Sequence, residues 1–267
     1  MNIALILITI IASYLLFKLL FVFAYSSFTE RYLFKTKKDF IIFVLKPWLE
    51  NRYSKDKYLQ IYYYLSLLLA ICWGLIFALS SNKLVDLFKI NFTVALLYIS
   101  SIIIFICFLL YLSIYDVISF SIPEIISKRM LLFAAFVNLL FLVLKILLSN
   151  TEFSYIFGLI NLGSFSNLVG GIIGGGVIWL VVRISKEKAM GAGDVDILAA
   201  IGLMLGVPFI FYSFLYTLFS AAIISVIYVL IIKRFKGVLI PFVPFLSSGF
   251  MLCFLLTDSV IRLFSLY

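Results

Sequence analysis

Met190-Gly191-Ala192-Gly193-Asp194-Val195-Asp196 interrupts two strongly apolar runs. The two glycines leave the backbone bare, so another helix or an extended chain can approach it closely. Asp194 then stands near the N-cap of the following apolar run, where the helix dipole favours a carboxylate. An aspartate at the start of a helix is by itself an ordinary cap. Its setting makes it informative, because an ionisable group at membrane depth costs roughly 2.5–3.5 kcal/mol at a helix centre.

The rest of the chain establishes that setting. Of 267 residues, 65% are hydrophobic and only 12% are charged. Soluble domains are about 45–50% apolar, so the chain reads as an all-α polytopic membrane protein. A span needs about 20 apolar residues. Candidates run over 3–25, 59–80, 92–114, 131–148, 167–184, 195–208, 209–232 and 240–257, giving about eight transmembrane helices. If the short sixth run continues into the seventh through Val207-Pro208, the count is seven. No charge precedes the first run and no small-residue cleavage pattern follows it, so it reads as a retained helix. Two domains are expected: residues 1–90, with N-terminal spans around a basic loop at 26–58, and residues 91–267, with the chemistry.

Charge orients the spans. The net charge is +9, which in a membrane protein reflects positive-inside sorting and no nucleic-acid partner. Arg31, Lys35, Lys37, Lys38, Lys46, Arg52, Lys55 and Lys57 crowd the 26–58 loop and place it in the cytoplasm. Lys128, Arg129, Arg183, Lys186, Lys188, Lys233, Arg234 and Lys236 then fall on the same side, and both termini lie outside. The loop could instead lay Phe40, Phe43, Val44, Pro47 and Trp48 on the inner leaflet as amphipathic helix.

With this topology, Asp116 at the inner end of the third span approaches the same face as Asp194. Two neighbouring carboxylates share one proton and can divide acid and base work. The chain has no histidine, which excludes Ser-His-Asp and Cys-His mechanisms. Cys72, Cys107 and Cys253 are scattered in apolar runs and form no metal-ligand pattern, so neither a metal nor a cofactor is expected. Two further segments frame the acids. Pro123 breaks the chain after Ile122 and before Glu124. Ile240-Pro241-Phe242-Val243-Pro244-Phe245-Leu246 should resist regular helix and leave backbone groups free to line a substrate groove. Gly170-Gly171-Ile172-Ile173-Gly174-Gly175-Gly176 carries small-xxx-small spacing for close helix packing.

Asp116 with Ile122-Pro123, then Gly191-Ala192-Gly193-Asp194, then Pro241-Phe242-Val243-Pro244 resembles the type IV prepilin peptidases, a group of GxGD intramembrane aspartyl proteases. The resemblance covers roughly residues 100–257. It implies a GxGD peptidase architecture with Asp116 and Asp194 as the catalytic pair. Gly191, Gly193, Pro123, Glu124, Asp196, Pro241, Phe242 and Pro244 would support the site. It also implies a prepilin or pseudopilin substrate, cut at the cytoplasmic face of a prokaryotic inner membrane, in a pilus, competence or type II secretion system. Partners are that substrate and the lipid bilayer, with self-association left open.

The chain departs from the family pattern at three positions. Asp196 stands where lysine is usual and should point about 200° away from Asp194. Val243 replaces a usual glycine, and Glu124 a shorter Asp or Asn. The CxxC pairs of methylating relatives are missing from segment 26–58, so the resemblance does not extend to N-methylation or S-adenosylmethionine. Presenilin-type proteases also pair Tyr-Asp with GxGD, as Tyr115-Asp116 does here, but their aspartates occupy consecutive spans. A transporter that relays ions through the two acids and an inactive pilin-binding scaffold are the competing readings.

Overall fold

A computed structural model describes residues 92–148, 162–186, 190–232 and 240–264. All lie in the second of the two units into which the chain divides, residues 85–267. The spans expected at 3–25 and 59–80 and the basic segment 26–58 lie outside the described residues.

Six helices and no strands occur among the described residues: α1 Phe92–Ser119, α2 Glu124–Leu147, α3 Phe165–Ser185, α4 Ala192–Leu205, α5 Phe209–Ile232 and α6 Val243–Phe264. Four of them, α1, α2, α3 and α5, are long and apolar enough to cross a membrane. The protein is therefore a multi-pass α-helical membrane protein. In hydrocarbon a backbone must satisfy its own polar groups, which favours unbroken helix. This explains why α1 runs on past residue 114, where its apolar run was expected to end. Nothing breaks the helix before Ser119, and the chain leaves it at Phe120, in the left-handed region at φ 50°. Asp116 is thus inside the last turn of α1 and not beyond it. Pro123 caps α2 with extended geometry and moves its start to Glu124, earlier than the expected 131. A proline there loses no helical bond.

At the centre is α4, only 14 residues long. At 1.5 Å per residue it spans about 21 Å, short of a hydrocarbon core of about 30 Å. It ends at Gly206, φ 72°, so the sixth and seventh apolar runs are two helices and not one. Ending a helix at that depth strands carbonyls, and polar side chains from neighbouring helices take them up. Leu203 O accepts Asn138 Nδ2 of α2 at 2.9 Å and Asn167 Nδ2 of α3 at 2.8 Å. The Val207 amide donates to Ser166 Oγ at 2.9 Å, and that hydroxyl donates to Val207 O at 2.7 Å. Asn138 and Asn167 are both buried.

The glycines of α3 bring α4 in close. A Cβ on Gly170 would stand 2.6 Å from Gly202 O, and one on Gly174 would stand 2.7 Å from Leu198 O. A side chain on Gly202 would collide with Gly170 O. Gly176 faces open space. This glycine run therefore seats α4 against α3 along its length. On the other side of the core, Phe105 of α1 packs on Phe250 of α6, ring centroids 5.0 Å apart. Ser113 and Ser247 are hydrogen-bonded at 2.5 Å between the same two helices.

Candidate active site

Asp116 sits on α1 two residues beyond Ile114 and is 6% exposed. Its Oδ2 accepts the backbone N–H of Val243 at 3.0 Å, and the Phe242 amide contributes beside it. Val243 is the first residue of α6. The carboxylate therefore caps the N-terminus of a helix 127 positions away. Free N-terminal amides and the helix dipole both favour an anion there.

The proline-rich segment that supplies those amides is more helical than its composition suggests. Pro244 lies in the first turn of α6, where its missing N–H would have had no intrahelical partner. The expected irregular groove wall is instead a helix start. Phe242 O accepts the Phe245 and Leu246 amides, at 3.1 and 3.3 Å. Pro241 and Phe242 precede the helix, half-buried.

Asp194 is also 6% exposed. It is the third residue of α4, not its cap. From there Oδ2 reaches back to accept the Gly191 N–H at 3.1 Å, while the Asp194 amide donates to Gly191 O at 3.2 Å. The other oxygen, Oδ1, is buried with no hydrogen-bond partner. Asp116 and Asp194 are close enough to act on each other electrostatically. A buried, unpartnered carboxylate oxygen within electrostatic reach of a second buried carboxylate is costly unless a proton, water or substrate completes it.

The two glycines of this segment differ. A Cβ on Gly193 would lie 2.8 Å from Cβ and Cγ2 of Ile122. Gly193 is thus the contact at which the start of α4 meets the Phe120–Pro123 turn after Asp116. Gly191 has ordinary backbone angles, φ −83° and ψ 160°. It is exposed, and a Cβ there would meet only Asp194 Oδ2, at 3.9 Å.

Glu124 and Asp196 do not join the pair. The Glu124 side chain is 67% exposed and bonded to Lys128 Nζ at 2.6 Å, one helical turn on. Asp196 Oδ2 accepts the hydroxyl of Ser127 on α2 at 3.0 Å, which ties the start of α4 to α2. Four participants escaped the sequence reading: Ile122 and Val243 as contacts, and Asn138 and Asn167 as the anchors of α4. The asparagines carried a readable signal, since amides within apolar runs seek partners in the protein. Among the described residues no group of histidine, cysteine, aspartate or glutamate could hold a metal.

Residues 103–230 match the model of the type IV leader peptidase family. That range contains Asp116, the Pro123 turn and Asp194, and stops short of the segment 240–246. Neither the comparison with curated proteins nor that with solved structures gave a match. The match to this family thus lies across both buried aspartates.

Proposed function

We propose that the protein is a membrane aspartyl endopeptidase that removes the leader of type IV prepilins or pseudopilins, with Asp116 and Asp194 as its catalytic pair. The observation that carries the reading is the convergence of these two buried carboxylates, one of which retains an oxygen with no partner. The family match supports the substrate class.

Two adjacent carboxylates hold one proton between them, and they titrate as a unit. The ionised member takes a proton from a water molecule as that water attacks the scissile carbonyl carbon. The protonated member gives its proton to the carbonyl oxygen. Collapse of the tetrahedral intermediate breaks the C–N bond: one hydroxyl returns its proton to the ionised member, the amine leaves with the proton of the other, and the pair again holds one proton. Amides at Gly191, Phe242 and Val243 orient the carboxylates throughout. Exposed Gly191 leaves the approach to Asp194 clear of side chains, which suits an extended peptide backbone.

The distribution of basic residues supports a cytoplasmic site and eight spans with both termini outside, and the chain is expected to divide into residues 1–90 and 91–267. Without cysteines in segment 26–58, the product amine is expected to stay unmethylated. The reading is tested by co-expression with a prepilin and N-terminal sequencing of the product. Wild type should release one mature N-terminus, unmethylated, and Asp116→Asn and Asp194→Asn should not. Cleavage retained in either variant overturns the assignment of the pair. A wild type that binds the prepilin without cutting it marks a scaffold.

A further inference from the structure

A second feature lies between the end of α3 and the start of α4. Trp179, Val182 and Arg183 of α3, Lys186 just beyond it, and Ala192, Val195 and Asp196 of α4 line an open cavity of about 570 Å³. The catalytic reading makes no use of it. Trp179 and Arg183, one turn apart, share one face of α3, and Lys186 follows as its C-cap, in the left-handed region at φ 53°. That face is the one turned outward. Trp179 is 49% exposed, and Ile172, one heptad before it, is 74% exposed. The cavity therefore lies on an exposed face, at the end of a helix long and apolar enough to cross a membrane.

Its charge is mixed but net positive. The Arg183 guanidinium lies over the Trp179 ring, 5.4 Å from the centroid, and among the described residues neither Arg183 nor Lys186 has a carboxylate within salt-bridge distance. Asp196, the one acid among the described residues that line it, is engaged by Ser127. Two cations, an indole at interface depth and an apolar floor at buried Val182 and half-buried Val195 match an anionic phospholipid. The phosphate would lie between Arg183 and Lys186, and the acyl chain would run along the exposed face of α3. We propose that this cavity is a specific binding site for the phosphate headgroup of an anionic membrane lipid. The proposal does not depend on the peptidase reading.

Trp179 is itself the reporter. With Trp48→Phe and Trp73→Phe in the full-length chain, it becomes the single tryptophan. Its fluorescence is then measured in vesicles that mix unlabelled phosphatidylcholine with acyl-brominated phosphatidylglycerol, and in the reverse mixture. Phosphatidylglycerol should be preferred over phosphatidylcholine at this position. Arg183→Gln or Lys186→Gln should each lower that preference about fivefold, and the double variant roughly 25-fold. Arg183→Lys should retain it, which separates loss of charge from loss of fold. Equal quenching by both lipids overturns the proposal, and so does a preference that persists in the double glutamine variant. Inorganic phosphate, set against chloride at equal ionic strength, should not relieve the quenching. Relief would assign the cavity to a free phosphate instead. Quenching relieved by an acidic peptide alone would make it a protein-docking site and would also overturn the lipid assignment.

Discussion

Asp116 and Asp194 are equally buried, yet they are held in opposite ways. Asp194 is oriented from within its own helix, by the amide of the residue that caps it. Asp116 is oriented by another helix altogether, through the amides that open α6. One carboxylate therefore depends on local chain geometry and the other on tertiary assembly. A substitution far from the chemistry can misplace Asp116 by shifting α6, whereas Asp194 moves only if α4 itself moves. The two halves meet at the contact of Gly193 with Ile122.

The largest expected effect abolishes the distinction. Asp116→Asn and Asp194→Asn should each lower prepilin cleavage about 10²–10⁴-fold, because each removes half of a proton-sharing pair. Equal losses, read by gel shift of the prepilin, are expected despite the different supports.

The next effect isolates the long-range support. Val243→Pro deletes the N–H that Asp116 accepts, while proline still suits the first residue of a helix. A hydrogen bond to a charged group contributes about 1.5–3 kcal/mol, so cleavage should fall roughly 10- to 100-fold. Val243→Ala keeps the amide and should stay near wild type. Equal behaviour of the two variants would show that the α6 amides do not position Asp116.

A smaller effect probes the meeting point. Gly193→Ala drives a methyl group into Ile122, an overpacking that costs about 1–3 kcal/mol. Ile122→Ala should restore part of that loss, and a double-mutant cycle on thermal stability in detergent measures the coupling. Additive losses would mean that the two loops do not touch. Smallest of all should be Gly191→Ala, within about 0.5 kcal/mol of wild type in the same assay, since nothing crowds that position. If the variant is stable but cleaves slowly, the bare face of Gly191 serves substrate and not fold.

The sequence carried the existence of these helices plainly, because runs of about 20 apolar residues admit little else in lipid. Their ends were less readable. Apolar side chains continue past residue 114, and only the chain reversal at Phe120 shows where α1 stops. Pro244 was misleading because proline breaks helix interiors yet suits first turns, and position within the helix is invisible before its start is known. The two aspartates were legible as costly charges on apolar runs. Their partners were not, since the amides of residues 242 and 243 look like any others until the fold brings them to Asp116.

The pinned C-terminal end of α4 also sets an angle. An α-helix turns 100° per residue, so its register and its azimuth are one variable. Asn138 and Asn167 both seize the carbonyl of Leu203, about 13 Å along the axis from Asp194. A slip of one residue at that clamp would swing the aspartate by 100°, away from Asp116. Two buried amides at the far end of the helix thus decide the direction in which Asp194 points. Their replacement should disturb activity without touching the site.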